Sequence, residues 1–409
     1  MSSIQKIVLA YSGGLDTSII IPWLKEKYQC QVIAYIADVG QGDEIQKVYS
    51  KALKTGASKA IVDDLKQEFI EEFCFKALRA QARYENAYLL GTSLARPVIA
   101  KGLVNCAIRE KAQAIAHGAT GKGNDQVRFE LTAMALAPEL KIIAPWREWT
   151  IRSREEAIDY AKARNIEIPV NKKQPFSMDK NLWHLSHEGG DLEDPWNAPQ
   201  DHVFQITKSY KQAKKTPLTM ILSFEKGIPK KINGKILKGV PLVEQLNHWA
   251  SMYGIGRVDM VENRLVGMKS RGIYETPGAT LLYEAHRALQ SLTIEKELLH
   301  YAQNLSHRYA ELIYNGQWFS PLREALESFW EKMQETVTGD VRLQLSPNFI
   351  MVTGIRSVFS LYSKELATFG VDEVYHQRDA EGFIHLFGLP LKVVGLMKKR
   401  RPNRSQEPK

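Results

Sequence analysis

KIVLAYSGGLDTS, residues 6–18, decides how this chain is read. Its first six residues are a short apolar, β-branched run, the pattern of a buried strand. Gly13 and Gly14 follow at once; lacking a Cβ, they let the backbone turn sharply and bring its N–H groups close to an anion. A helix expected over residues 17–28 directs the positive end of its dipole at the same place. Ser12, Thr17 and Ser18 add hydroxyl groups, so the segment is a phosphate cradle by physical construction. It is not a Walker A loop, because the lysine that motif requires is missing. Nor is it the GxGxxG fingerprint of a dinucleotide fold, although Asp38, ending the next strand, stands where a ribose-binding acid would fall. The plain alternative is a tight strand–helix turn with Asp16 as its cap.

Outward from this turn the chain repeats the same alternation. Strands are expected at residues 6–11, 31–39, 59–63, 112–117 and 141–145, with helices at 17–28, 44–55, 66–79, 95–110 and 124–136. Apolar strands separated by helices of this size give crossovers and a doubly wound parallel sheet, an α/β fold that binds ligands outside the carboxyl ends of its strands. After residue 166 the pattern changes. A polar, irregular stretch (169–199) leads to antiparallel strands expected near 220–224 and 229–237, with Asn233-Gly234 as the hairpin signal. Two long helices (279–304 and 306–338) and strands near 341–345 and 349–354 complete an α+β domain. The apolar stripe of the second long helix, Tyr309, Leu312, Ile313, Leu322, Leu326, Phe329 and Trp330, is either buried within the chain or turned to a partner.

A second turn, HGATGKGNDQVRFE at residues 117–130, again ends a strand and opens a helix. Asn124 and Arg128 lie four apart on one helix face. The plain alternative here is an N-capped helix with a surface ion pair, but a carboxylate, an amide and a guanidinium together suit a zwitterionic amino acid. Asp125 would hold an ammonium, while Thr120, Asn124 and Arg128 would hold carboxylate or carbonyl oxygens.

Composition narrows the partners. The 409 residues are 44% hydrophobic and 25% charged, an ordinary globular balance. No uninterrupted apolar run approaches the roughly 18 residues of a membrane span, and the start of the chain does not read as a signal peptide. Three widely spaced cysteines, Cys30, Cys74 and Cys106, argue for a reducing compartment, so a cytoplasmic location is expected. The net charge of +9 invites a nucleic-acid reading. Yet residues 398–409 (KKRRPNRSQEPK) hold six basic residues and one acidic residue, a local +5, which leaves only +4 for the other 397. A solubilising, disordered tail is the expectation there.

The glycine turn resembles the SGGxDS loop of the ATP pyrophosphatases, which cleave ATP between its α- and β-phosphates; Asp16 is then the carboxylate that helps to place Mg²⁺. With LGTSLARPVIAKGLV (residues 90–104), FSMDKNLWHLSHEGGDLEDP (176–195), VENRLVGMKSRGIYETPG (261–278) and NGQWFSPLREAL (315–326), the two turns occur in the order and spacing of the argininosuccinate synthase family, which this chain resembles along nearly its whole length. That family joins citrulline to aspartate with ATP, releasing AMP and pyrophosphate. The resemblance implies a nucleotide-binding domain at 1–168, a synthetase and oligomerisation domain at 169–380 and a C-terminal helix with the basic tail at 381–409. It implies ATP contacts at Ala10, Tyr11, Ser12, Gly13, Gly14, Leu15, Asp16, Thr17, Ser18, Ala37 and Gly118, with Asp16 and Asp125 closest to the chemistry. Aspartate would meet Thr120, Asn124 and Asp125. Citrulline would meet Tyr88, Ser93, Asn124, Arg128, Ser177, Ser186, Glu262 and Tyr274. Mg²⁺ is expected with ATP rather than at a dedicated protein site. A homotetramer is implied, without nucleic acid or membrane partners. Ala119 stands where the family string often carries Cys, and His184 and His187 replace commoner residues beside the two inferred citrulline serines. Two rival classes are an SGGxDS enzyme that adenylates a base in RNA and a nucleotide sensor that binds ATP without turnover.

Overall fold

A computed structural model describes residues 4–42, 44–121, 123–151, 153–167, 177–368, 370 and 374–400, apart from the side chain of Arg154. Lys122, part of the second turn, and residues 401–409 of the basic tail lie outside them. The chain divides into two compact units, Met1–Phe359 and Ser360–Lys409.

In the first half of the larger unit the elements are β1 (Lys6–Ala10), α1 (Leu15–Tyr28), β2 (Gln31–Asp38), α2 (Ile45–Lys54), β3 (Lys59–Asp64), α3 (Lys66–Glu68), α4 (Phe75–Arg79), α5 (Gly91–Arg109), β4 (Ala114–Ala116), α6 (Asp125–Leu136), β5 (Lys141–Ile143) and α7 (Arg154–Lys162). All strand pairs are parallel, in the order β3-β2-β1-β4-β5. Ile7, Val8 and Leu9 are fully buried because helices cover both faces, which is why β1 reads as a continuous apolar run. The strand order reverses beside β1, between β2 and β4. That switch point opens a crevice at the carboxyl ends of the strands, and both glycine turns sit there.

The expected strands are found, the fourth and fifth shorter than their apolar runs. The helix expected at 66–79 is broken by a π-helical turn at Phe69–Cys74, and α5 starts at Gly91, four residues early. Leu90, at φ 62°, is the left-handed residue from which α5 departs.

The second half contains β6 (Ser177–Lys180), β7 (Leu185–Glu188), β8 (Leu218–Glu225), β9 (Ile228–Ile232), β10 (Lys235–Ile236), α8 (Gly239–Met252), β11 (Arg257–Asn263), β12 (Lys269–Glu275), α9 (Pro277–Thr293), α10 (Lys296–Tyr314), α11 (Pro321–Met333), β13 (Gly339–Ser346) and β14 (Phe349–Arg356). They form one antiparallel sheet, β10-β9-β8-β13-β14, and a smaller one, β11-β12-β7-β6. The smaller sheet went unread in the sequence because SMDK and LSHE are polar, although they are strands. The two long helices expected here are three. Glu295 caps α10 by accepting from the N–H groups of Glu297 (2.9 Å) and Leu298 (3.0 Å). Gly316, at φ 75°, follows α10 closely, and Ser320-Pro321 starts α11. Most of the apolar stripe is buried inside the chain (Tyr309, Leu312, Ile313, Leu326 and Trp330), with Phe329 half-buried and Leu322 46% exposed. A single apolar cluster joins it to Phe69, Phe73, Trp183 and Tyr283, so α4 and α5 rest on the second half.

The smaller unit holds α12 (Lys364–Ala367) and α13 (Asp379–Arg400). None of α13 is buried, and an 18-residue window of it has mean hydropathy 1.3. By length and composition alone it could cross a membrane, which in a single helix is weak support. Reading for uninterrupted apolar runs missed it because His385 and Lys392 interrupt the pattern.

Candidate active site

The turn after β1 is built by its own hydroxyls. Gly13 has φ 78°, a backbone conformation that favours glycine, and the Nζ of Lys51 donates to its carbonyl at 2.6 Å. Ser12 Oγ and Thr17 Oγ1 lie 3.2 Å apart and hold the two ends of the turn together. Gly14 is the N-cap of α1 and no side chain caps it, so Asp16 is not a cap. Asp16 is half-buried in the first turn and faces a cavity of about 540 Å³. Ala10, Tyr11, Ser12, Gly14, Leu15, Thr17, Ala37 and Gly118 share that wall. Gly13 and Ser18 do not. Ser18 is buried, donates to the Gly14 carbonyl at 2.7 Å and meets Tyr11 Oη at 3.2 Å, so its hydroxyl stiffens the helix start. Asp38 is also off the wall, in an ion pair with Lys66 and accepting from Gly40 N–H at 2.9 Å. The ribose-acid reading fails for that reason.

The second turn reaches the same cavity through His117, Gly118, Ala119 and Asp125. Opposite stands Arg96 of α5, a residue the sequence reading did not single out. Its guanidinium bridges Asp125 (2.8 Å) and Asp179 of β6 (3.0 Å). Burial disfavours the Arg96 cation, but the two carboxylates outweigh it and hold the side chain charged. Asp179 is the reciprocal case: burial opposes its ionisation, and Arg96 with His184 and Thr92 holds it well below the usual carboxylate range. Thr92 Oγ1 donates to Asp179 at 2.6 Å. The other oxygen of Asp125 accepts from Arg128 at 2.9 Å. Thr120 is exposed and outside the cavity wall.

Beyond Asp125 lies a cluster of tyrosines. Tyr88 stacks on Tyr274 with ring centres 4.3 Å apart. Burial pushes Tyr88 up to about 12, and burial beside Glu262 pushes Tyr274 well above the usual phenol range, so both keep their protons at neutral pH. Tyr274 and Tyr314 donate to the two oxygens of Glu262, at 2.7 and 2.8 Å. The Asn124 amide donates to Tyr314 Oη at 2.9 Å, and Arg128 Nε donates to the Tyr314 carbonyl at 3.0 Å. Asn124, Arg128 and Glu262 thus converge on Tyr314, another residue that sequence reasoning missed, and Tyr274 joins them through Glu262. In the small sheet Ser186 pairs directly with Tyr274 on one side and Asp179 on the other. Ser93 is fully buried and its hydroxyl lacks a partner. Ser177 is exposed at the start of β6. Glu262, Tyr88 and Tyr274 are buried.

The two histidines differ in place. His184 is buried against Thr92 (2.9 Å) and its ring lies 5.9 Å from that of Tyr274. Gly91 makes room for it, since a Cβ there would stand 2.3 Å from the ring. His187, one residue out of phase with Ser186, points to the other face. There it meets Glu275 at 3.0 Å. Burial works to raise Glu275, but bonds from His187, Thr207 and the backbone of Gln205 and Thr207 leave it lowered.

Two signals were available for the missed residues. Arg96 sits in a helix buried almost all round, where a charge needs partners. Tyr314 immediately precedes the NGQWFSPLREAL string.

Comparison with known proteins accords with this geometry. Residues 6–167 match the model of the arginosuccinate synthase N-terminal HUP domain, and residues 176–394 that of the arginosuccinate synthase C-terminal domain. The argininosuccinate synthase of Acetivibrio thermocellus is 60% identical over 401 residues, 98% of this chain and 99% of that one. That of Carboxydothermus hydrogenoformans is 60% identical over 395 residues, 97% and 98% of the two chains. A solved structure, the U34-tRNA thiolase NcsA from Methanococcus maripaludis, aligns with TM-score 0.29 and 16% identity over 42% of this chain and 60% of that chain, too little to carry an argument. With a parallel sheet ending in two glycine turns on one cavity, residues of the polar second-half sheet on the same wall, and both halves matched by one family's models, the chain belongs to the argininosuccinate synthase family.

Proposed function

We propose that this chain ligates L-citrulline to L-aspartate with ATP, through a citrullyl-adenylate, releasing AMP and pyrophosphate as a step of arginine biosynthesis. One observation carries the reading: the glycine turn after β1 and the turn between β4 and α6 open on a single cavity. A ureido carbonyl is a poor electrophile, deactivated by two nitrogens and without a leaving group. Its oxygen attacks the α-phosphorus in line, the bond to the β-phosphate oxygen breaks, and pyrophosphate departs. The amine of aspartate then attacks the activated carbon, the carbon–oxygen bond to AMP breaks, and the amine loses a proton. Such phosphoryl transfer needs alignment and charge stabilisation, which the Ser12–Asp16 turn and the start of α1 supply.

ATP lies in this reading against Ala10 to Ser18, Ala37 and Gly118. Asp16 and the hydroxyls of Ser12 and Thr17 are hard oxygen donors of the kind Mg²⁺ takes alongside substrate phosphates. When bound, Mg²⁺ neutralises phosphate charge. Asp125 keeps acceptor capacity after serving Arg96 and Arg128, enough to hold an incoming ammonium; with Thr120 and Asn124 it orients aspartate. Tyr88, Ser93, Asn124, Arg128, Ser177, Ser186, Glu262 and Tyr274 enclose citrulline. The domain division at 168 and 380, a cytoplasmic setting and a homotetramer belong to the same reading. The exposed apolar side chains of α13 support self-association.

An RNA-thiolating relative of the loop is not favoured. Cys30, Cys74 and Cys106 are all buried, and burial raises each thiol, Cys106 to about 11, far from the thiolate such chemistry uses. Product analysis tests the assignment. AMP and pyrophosphate should form only with citrulline, aspartate and Mg-ATP together; ADP and phosphate instead would end it.

A further inference from the structure

Apart from the nucleotide cavity, a second cavity of about 390 Å³ opens between the segment after α4 and helices α9, α10 and α11. Its charge is one-sided. Arg83, Arg287 and His307 line it, and among the described residues of its wall there is no Asp or Glu. One carboxylate beside them, Glu284, serves both guanidiniums, at 3.2 Å from Arg83 and 2.7 Å from Arg287. Two cations against one anion leave a local positive excess at the cavity. Trp330 forms part of the wall with Leu299 and Met333; it is 1% exposed and its indole N–H has no hydrogen-bond partner. Buried donors are rarely left so.

We propose that this cavity is a second ligand site, for a small organic anion bearing a carboxylate or a phosphate, and that its occupancy alters the citrulline pocket. The link is a tight hairpin. Arg83 and Asn86 line the cavity, and between and beside them Tyr84 and Tyr88 exchange backbone hydrogen bonds of 2.9 and 3.0 Å. Tyr84 stacks on Tyr314 at 3.6 Å, and Tyr88 on Tyr274 at 4.3 Å. Glu85 and Asn86 are held at φ 49° and 65°, so the hairpin has few conformations into which to relax. An anion that draws Arg83 into the cavity therefore shifts both stacked tyrosines. The binding half of the proposal stands on the cavity alone; the coupling half rests on the tyrosines lining the citrulline pocket.

The test is titration calorimetry of the full-length protein with citrate and, separately, glycerol 3-phosphate, in buffer free of phosphate and sulfate. Neither probe is a substrate of the ligation, and the one that binds tells carboxylate from phosphate. Arg83→Ala/Arg287→Ala should weaken that probe by about tenfold or more, while Arg83→Lys/Arg287→Lys retains most of the affinity. The probe should also change KM for citrulline in the wild type, leave KM for ATP unmoved, and do neither in the alanine variant. Absence of binding by both probes at millimolar concentration overturns the site. Equal affinity in the wild type and the alanine variant does too, by placing the anion in the ATP cradle. Binding without any change in citrulline KM overturns the coupling. The heat of binding is read without turnover, so its outcome does not depend on the ligase reading.

Discussion

Arg96 shows why a single side chain can decide a site. Its planar fork answers two carboxylates from two elements at once, Asp125 on α6 and Asp179 on β6. Lysine keeps the charge and loses the fork. Arg96→Lys should keep the fold and lower kcat about 10- to 100-fold, the loss of one charge-assisted hydrogen bond; turnover near wild type with an unchanged thermal midpoint would refute this role. Asp16→Asn should likewise cut turnover strongly and raise the Mg²⁺ concentration needed, read from a Mg²⁺ titration of initial rates. A third residue speaks to stability. His286 is buried between Gln81 and Gln334, 2.9 Å from each, and burial lowers it to about 4, with the bond to Gln334 opposing. A group lowered in the fold is neutral there, while the unfolded chain takes up a proton below its ordinary value of 6.5. The contribution of His286 is therefore complete above about pH 6.5 and declines as pH falls toward 4. Urea midpoints should drop between pH 7 and pH 5 in the wild type, and less in His286→Gln.

Between helices, α10 and α11 are joined by a turn that reaches α6. Gly316 sits at φ 75°, and a Cβ added there would stand 2.8 Å from the backbone Cα of Arg128. Gly316→Ala should destabilise the protein by about 1–3 kcal/mol, from an unfavourable φ and forced overpacking. It should also raise KM for citrulline more than KM for ATP, since Arg128 moves and the β1 turn does not. Chemical denaturation and the two KM values measure both. The same region explains what sequence reading missed. The apolar period runs nearly unbroken from 279 to 338, so it announces helix without its ends. The ends are set by Glu295, Gly316 and Ser320-Pro321, which are legible only once it is known that the chain must fold back there. In the small sheet the opposite holds: SMDK and LSHE look like loop, yet Asp179, Ser186 and Tyr274 are adjacent across three strands.

At the scale of the molecule, α13 carries Phe383, Ile384, Leu386, Phe387, Leu389 and Leu391 more than half exposed. Side chains of this size do not stay wet in a stable assembly. Sedimentation at micromolar concentration should give a tetramer, and Phe383→Ser/Phe387→Ser should shift it to smaller species; a monomer in both would refute self-association through this helix. Deleting residues after Met397 should leave turnover unchanged.

What could be read from the sequence alone is what lies within one turn of chain. Gly13, Gly14 and Asp16 form a tight turn at the carboxyl end of β1 because a strand, a glycine pair and a helix start follow one another in a dozen residues. The same is true from His117 to Arg128. Backbone geometry and the helix dipole act over that distance, so local order suffices. Only the tertiary structure could bring Arg96 to Asp179, or place the Tyr314 hydroxyl between Asn124, 190 residues away, and Glu262, 52 residues away. Those bonds depend on which helix packs on which sheet, and packing is settled by burial of the whole apolar core rather than by any segment that contributes to it.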